Sequence, residues 1–388
     1  MQYRKMGKRG PEVSILGFGA MRLPYIGNDE SKIDENEATR VMRYAIDNGV
    51  NYVDTAWGYH YGNCEPWMGR ALKDGYREKV FLATKLPPWF VETREDCDKF
   101  LNQQLERLQT DYIDFYLLHA LKQELWDKLK NVRVIEFLES ALKDGRIRFA
   151  GFSFHGALSD FKNIVPDYDW TFCQIQYNFM DIHEQAGIEG LKFADERGLG
   201  VIIMEPLRGG NLAKQPPLSI QKLWDSSPVE HTPVDWALRW VWNHPEVTML
   251  LSGMNSIEQV KENIAIASEV QVKSLTNDEI NLIEKVRQAF LERTAVACTR
   301  CGYCMPCPAG VNIPATLRLY NEARMYENPT LASRVYYLML KPEQQAPSCT
   351  ECGQCEEKCP QNIPIREELK KAHAVLERKT GQEPDKKT

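Results

Sequence analysis

Residues 112–119 read YIDFYLLH, an apolar run rich in aromatic residues that closes on a histidine. A half-exposed strand would alternate polar with apolar residues. This run is apolar nearly throughout, as are strands of a parallel sheet covered on both faces. Three runs of the same kind precede it, ILGFGAM (15–21), NYVDTA (51–56) and KVFLATK (79–85). Four follow it, RFAGFSF (148–154), FCQIQYN (172–178), GVIIMEP (200–206) and VTMLLSG (247–253). Between them lie segments of helical period, among them REDCDKFLNQQLERL and ENEATRVMRYAIDNG, the latter stopped by Gly49. Eight alternations of strand and helix predict an α/β fold, a closed parallel (β/α)8 TIM barrel with right-handed crossovers. The competing arrangement is an open doubly wound sheet. Its dinucleotide fingerprint is missing, because GFGAM runs into RLPYIG and never completes GxGxxG.

Composition narrows the function. With 43% hydrophobic and 26% charged residues, the 388-residue chain can bury a sizeable core, which excludes a mainly disordered protein. A net charge of -6 offers no broad basic face for nucleic acid. No stretch approaches the apolar length needed to span a bilayer, and no signal-peptide core opens the chain, so a soluble cytoplasmic protein without a membrane partner is expected. Eight of the eleven cysteines fall between Cys298 and Cys359 in two tight clusters, which is ligand spacing rather than a disulfide framework.

Chemistry in such barrels gathers where the strands end. Asp54 ends the second run and Tyr59 follows it; Lys85 ends the third, His119 the fourth, Ser153 and His155 the fifth. Gln174 and Asn178 lie on or just after the sixth. Taken singly these are ordinary residues: Asp54 with Lys85 reads equally as a structural ion pair, and Tyr59 as a loop aromatic. Together they set an acid, a phenol, an amine and an imidazole on one rim.

Over about residues 1–270 the chain resembles an aldo-keto reductase, on LGFGAMRL (16–23), DTAWGYHYGNCE (54–65), ATK (83–85), DFYLLH (114–119), GFSFH (151–155), QIQYN (174–178), MEPLRGG (204–210) and SGMNSIEQVKEN (252–263). The resemblance implies a catalytic tetrad of Asp54, Tyr59, Lys85 and His119, and an NAD(H) or NADP(H) cofactor exchanging hydride with an aldehyde, ketone or alcohol. In that chemistry Tyr59 gives a proton to the carbonyl oxygen, and Lys85 is expected to lower the phenol pKa. Asp54 holds the lysine charged, and His119 donates to the same oxygen, a role worth about 2–4 kcal/mol.

The resemblance also implies a cofactor site. It draws on Gly19, Ala20 and Met21 in the first strand's turn, and on Ser153 and Gln174 for the carboxamide. Met204 stands beside the nicotinamide ring; Leu207, Arg208 and Gly210 form the pyrophosphate loop, and Asn263 faces adenine. Two departures stand out. Met204 and Glu205 replace the aromatic that stacks on the nicotinamide, and Gly253, Met254 and Gln259 stand where NADPH-preferring members carry a lysine and an arginine. NADH is therefore as admissible as NADPH. Trp57, Trp89 and Phe90 lie near the rim, either as apolar walls for a substrate or as packing.

Further along, CTRCGYCMPCPAGVNIP (298–314) and CTECGQCEEKCPQNIPI (349–365) form an internal repeat, each with Asn-Ile-Pro near its end. The second has the bacterial ferredoxin spacing, in which three cysteines bind one 4Fe-4S cluster and the fourth binds its neighbour. That rule assigns Cys298, Cys301, Cys304 and Cys359 to one cluster, and Cys349, Cys352, Cys355 and Cys307 to another. Zinc is the alternative, since paired CxxC units also bind it. The helical segments ATLRLYNEARMYENP and TLASRVYYLMLK between the runs resemble α-helical dicluster ferredoxin modules. Cys64, Cys97 and Cys173 read as ordinary packing.

The expected organisation is a barrel over 1–270, a connecting helix over 271–297, a smaller and mainly helical ferredoxin-type iron–sulfur domain over 298–367, and a polar tail over 368–388 that starts as a helix and frays into disorder. The expected function is an oxidoreductase with clusters for electron transfer or redox sensing, a small carbonyl or alcohol as substrate and an electron-transfer protein as candidate partner. The alternative is a nicotinamide-binding redox sensor without turnover.

Overall fold

A computed structural model of the chain describes residues 1–27, 29–298, 300, 302–359 and 361–377. Two compact units form, Met1–Leu212 with Val234–Thr276, and Ala213–Pro233 with the chain from Asn277 onward.

The first unit opens with a short antiparallel hairpin, β1 (Tyr3–Lys5) and β2 (Glu12–Ser14). Eight parallel strands follow: β3 (Leu16–Gly19), β4 (Tyr52–Asp54), β5 (Phe81–Leu86), β6 (Ile113–Leu121), β7 (Ile147–Phe154), β8 (Phe172–Gln176), β9 (Gly200–Met204) and β10 (Met249–Ser252). Each overlaps one of the eight apolar runs, β5, β6 and β7 extending one or two residues past theirs. They close in sequence order, β10 pairing with β3, so the closed parallel barrel expected from the alternation is what forms and the open sheet is excluded. The two helices expected from periodicity are Glu35–Asp47, with Gly49 just past its end at φ 97°, and Arg94–Leu108, capped by Thr93 and Asp96.

Inward-facing side chains fill the barrel. Phe115 sits at the centre, its ring 5.1 Å from each of Tyr52, Phe149 and Phe172. Met6 and Val13, from the hairpin that periodicity did not reveal, join the same cluster. At three residues each, β1 and β2 are too short to print an alternation on the sequence. Cys64, Cys97 and Cys173 are buried thiols of this unit.

The second unit is helical: Leu218–Trp224, Asn277–Leu291, Ile313–Met325, Pro329–Met339 and Ile365–Leu376. Two expected boundaries move. Helix Leu218–Trp224, expected within the barrel, packs on Asn277–Leu291, expected as a connector; each buries an apolar stripe, Ile220 and Trp224 on one, Ile283, Val286 and Phe290 on the other. The tail expected from 368 does begin as a helix, but that helix belongs to the unit's core. Helix Ile365–Leu376 buries Leu369, Ala372 and Leu376, one residue per turn, in the core formed by Leu317, Ala323 and Tyr336. Residues 378–388 of the expected tail lie outside the described residues.

Phe115→Ala is expected to cost the barrel about 3–5 kcal/mol, whereas Phe90→Ala, at a side chain 56% exposed, should leave stability nearly unchanged. Urea unfolding of both variants measures this. Equal midpoints would contradict a core centred on Phe115.

Candidate active site and cysteine centre

Asp54 and Lys85 meet because their strands are neighbours. Asp54 on β4 pairs with Ala83 on β5, and Lys85, two residues on, shares the inward face of Ala83. Lys85 is fully buried and Asp54 nearly so. The ammonium donates to Asp54 Oδ1 at 2.7 Å, Asp54 Oδ2 at 2.8 Å and the Thr55 carbonyl at 2.7 Å, and lies 3.4 Å from the Tyr59 hydroxyl. Behind it, Gln104 Nε2 donates to the Lys85 carbonyl at 3.0 Å and to the buried Glu65 at 2.7 Å, fixing the end of β5.

Tyr59 starts the turn Tyr59–Gly62, in which His60 and Tyr61 adopt φ of 51° and 57°. His60 pins that turn. The Leu23 N–H donates to its Nε2 at 3.3 Å, and its Nδ1 lies 2.7 Å from the Glu30 carbonyl. Burial lowers the His60 pKa, and only the neutral ring with its proton on Nδ1 serves both partners. Spacing alone carried no sign of this role.

His119 is aimed by a bulge. The register of β6 on β7 shifts between Leu118 and Leu121, Ala120 takes φ 51°, and its N–H donates to Ser153 Oγ at 2.7 Å. The imidazole therefore stands edge-on to Tyr59, ring centres 6.2 Å apart, with Trp89 5.2 Å away on another side. Of the three rim aromatics, Trp89 borders the site. Trp57 packs against Phe100 and under Arg107, and Phe90 stacks on Phe100.

Burial dominates the electrostatics. It pushes the Tyr59 phenol above its ordinary value, and Lys85 offsets only part of the rise. The expected net lowering by Lys85 is thus corrected: a phenol out of water loses more as an anion than one ammonium restores. Burial works against the Lys85 ammonium too, but Asp54 and then Tyr59 outweigh it and hold the lysine above its usual range. The His119 pKa falls well below normal through burial, then through Lys85 and His155.

The residues expected to hold a dinucleotide line the same barrel mouth. Gly19 pairs with Asp54; Ala20 is buried and Met21 is 55% exposed. Gln174 Nε2 approaches Met204 Sδ at 3.6 Å, and Asn263 Nδ2 donates to Ser252 Oγ at 3.0 Å. Gln174 Oε1, Asn263 Oδ1 and His119 Nδ1 are buried without a hydrogen-bond partner among the described residues. Unsatisfied atoms of this kind fit a polar ligand. After β9, Leu207 and Arg208 lead into Gly209 and Gly210, at φ 67° and 90°; Arg208 pairs with Asp181 at 3.2 Å, a partner that sequence reading missed. Gly253 is exposed, as is Gln259, whose side chain accepts from the Asn255 N–H at 2.9 Å.

In the second unit the repeat is structural as well as sequential. Each cysteine run leads through Asn-Ile-Pro into a helix, Ile313–Met325 and Ile365–Leu376, and Ile313 and Ile363 are both buried. Arg300 and Gly302 take φ of 57° and 81°, and their counterparts Glu351 and Gly353 take 58° and 78°. Left-handed residues this close turn backbone N–H groups inward, and Glu351 N–H points at Cys349 Sγ at 3.4 Å. Cys298, Cys304 and Cys359 line one pocket together with Ile313, Leu317 and Ile365. Cys307, Cys349 and Cys355 pack on the same core. Burial, then Glu356, raises the Cys355 pKa, with Cys349 and Cys307 adding to the rise. Cys352 is exposed, and Cys301 lies outside the described residues.

Residues 15–288, more than half of the chain, match the aldo/keto reductase family. The chain belongs to that family. Residues 297–363 match a 4Fe-4S dicluster domain. Among curated proteins, L-galactose dehydrogenase of Arabidopsis thaliana is 26% identical over 306 residues, covering 74% of this chain and 94% of that one. Among solved structures, aldo-keto reductase AKR11C1 from Bacillus halodurans in its holo form has a TM-score of 0.63 at 30% identity, over 74% of this chain and 96% of that one. An aldo-keto reductase from Klebsiella pneumoniae in complex with NADPH has a TM-score of 0.58 at 25% identity, over 74% and 96%. No helix among the described residues is long and apolar enough to cross a membrane.

Asp54→Ala strands a buried ammonium and is expected to cost about 3–5 kcal/mol, most of which Asp54→Ala with Lys85→Met should return. Chemical denaturation of the single and double variants reads both. A double variant as unstable as the single would show that the charge is not the cause.

Proposed function

We propose that this oxidoreductase exchanges hydride between NAD(H) or NADP(H) and an aldehyde, ketone or alcohol, and that its second unit holds two 4Fe-4S clusters that pass single electrons. The observation that carries the first part is the Lys85 ammonium, chelated by Asp54 and 3.4 Å from the Tyr59 hydroxyl, beside His119.

The nicotinamide, when bound, supplies or accepts the hydride. Ser153 and Gln174 would hold its carboxamide, Gly19, Ala20, Met21 and Met204 would line its seat, Leu207, Arg208 and Gly210 the pyrophosphate, and Asn263 the adenine. Gly253 and Gln259 bring no cation, so neither NADH nor NADPH is favoured at that point. The unsatisfied Gln174 Oε1 and Asn263 Oδ1 support this seating, as does the NADPH complex of the Klebsiella pneumoniae relative.

The chain's own groups manage the proton. The carbonyl oxygen gains charge in reduction, and Tyr59 is the acid within reach of it. Burial keeps that phenol protonated through neutral pH, while Lys85 stabilises the phenolate left after transfer, so the ammonium acts on the product side of the step. His119 is neutral at pH 7. With Nδ1 lacking an acceptor, the less costly tautomer puts the proton on Nε2, free to donate to the same oxygen. Trp89, beside His119 and 42% exposed, offers an apolar wall to the substrate.

For the clusters, Cys298, Cys301, Cys304 and Cys359 would ligate one and Cys349, Cys352, Cys355 and Cys307 the other. The pocket of Cys298, Cys304 and Cys359 supports the exchange of the fourth cysteine between the runs, as does the influence of Cys307 on Cys355. Anaerobically purified protein is expected to hold about eight iron and eight sulfide per chain; stoichiometric zinc in their place would sink this assignment.

Tyr59→Phe is expected to lower kcat by about 10²- to 10⁴-fold with nicotinamide affinity unchanged, measured over a panel of aldehydes and ketones. Undiminished turnover would remove Tyr59 as the acid. Because the phenol pKa is raised and the imidazole pKa lowered, neither group titrates near neutrality. The kcat/KM for reduction should therefore be flat from about pH 7 to 9 and fall above about pH 10 as the phenol loses its proton. An alkaline limb centred near pH 7 would contradict this.

A further inference from the structure

Arg22 ends the short 3-10 turn Ala20–Arg22 that follows β3, and its side chain crosses to two other loops. Its guanidinium lies 3.5 Å from Glu205 Oε1, in the loop after β9, both side chains being partly exposed. It also lies close to Gly209: a Cβ built there would come 3.3 Å from Arg22 Nη2 and 3.5 Å from Glu205 Oε2. The stem of Arg22 lies on Gly253, after β10, where a Cβ would meet Arg22 Cβ at 3.2 Å and Cγ and Cδ at 3.4 Å. The small residue at 253, which removes a cation from one strand end, makes room for a cation from another.

We propose that Arg22 is a ligand of the dinucleotide's pyrophosphate, held over the binding groove by Glu205 until the cofactor arrives. The inference rests on the nicotinamide-dinucleotide reading and names a contact within it. Two comparisons favour Arg22 over Arg208 as the group that changes partner. Arg208 pairs at 3.2 Å with Asp181, whose side chain is 6% exposed and also accepts from Gln176 at 2.9 Å and Asn178 at 3.1 Å. The Arg22–Glu205 pair is longer and more exposed, so it contributes little and is exchanged readily for a phosphate. Glu205 itself is held by its backbone: it takes φ 57°, and its carbonyl accepts from Asn178 Nδ2 at 3.0 Å. The carboxylate thus stays at the groove and competes with the phosphate for one guanidinium. Because the pyrophosphate is common to both dinucleotides, Arg22 tightens each without choosing between them.

The test is the dissociation constant of NADH and of NADPH, by fluorescence titration of the full chain, for the native protein, Arg22→Gln, Glu205→Gln and the double variant. Arg22→Gln should weaken both cofactors by the same factor, about 10- to 100-fold for one charge-assisted contact. Glu205→Gln should tighten both, and should have no effect once Arg22 is gone. Native-like affinity in Arg22→Gln would overturn the proposal, as would weakened binding in Glu205→Gln. A loss confined to NADPH would move Arg22 to the 2'-phosphate and overturn the pyrophosphate assignment. If the native protein binds neither cofactor, the dinucleotide reading fails first. Circular dichroism of each variant confirms that an affinity change is not a loss of fold.

Discussion

A lysine ammonium sealed inside a parallel barrel has to be neutralised where it lies, and the geometry at the barrel mouth follows from how this is done. Asp54 takes two of the contacts around Lys85 and the Thr55 carbonyl a third, and the Tyr59 hydroxyl makes a fourth, longer one. None of these groups could be moved to another strand. β4 and β5 must be adjacent, and Asp54 must be level with Ala83, for the carboxylate and the ammonium to meet. Breaking such a pair costs more than forming it gains, because the survivor is an unpaired buried charge. The pair is therefore a weak source of stability and a strong constraint on register.

How much of this could be read from the sequence depended on the length of the signal. Strands such as β6 and β7, nine and eight residues long, print continuous apolar runs, and the barrel and its order were legible from them. The ends of those strands named Asp54, Lys85 and His119 as candidates. What was not legible is finer than a strand. The bulge between Leu118 and Leu121 that aims His119 involves two residues, and the turn that carries Tyr59 is fastened by His60 to Leu23 and Glu30, far apart in the chain. The direction of the Tyr59 shift was misread for a related reason. Spacing reveals that a cation is near, but not that water is absent, and here the loss of water is the larger influence.

The cysteine-rich unit shows the opposite balance. Its ligand spacing was explicit in CxxCxxC, and the repeat of Asn-Ile-Pro announced two equivalent halves. The boundaries were not, because they depend on burial. Leu369, Ala372 and Leu376 are spaced for one face of a helix, but they stand among charged residues, so the segment read as a fraying polar helix and not as part of a core. Likewise, helix Leu218–Trp224 is a short insertion in the middle of the barrel's sequence, and only packing reveals which unit it belongs to. A unit whose core is packed against its own cysteines is one whose stability should be coupled to whatever those thiols bind.

Under the proposed function the two units would operate on different numbers of electrons, and this limits how their chemistry could be joined. Hydride transfer moves two electrons together, whereas a 4Fe-4S cluster would pass one. The groups that the proposed carbonyl chemistry would require of the protein lie together at the barrel mouth: Tyr59 as the proposed acid, Lys85 as a charge to stabilise its conjugate base, and His119 as a neutral donor. None of them needs an electron from a cluster to change protonation state. The pKa shifts point the same way, since burial keeps Tyr59 protonated and His119 neutral near pH 7. On that proposal the barrel would be self-sufficient for the two-electron step, and joining it to one-electron transfer would require a carrier able to split an electron pair, such as a flavin or a protein that bears one.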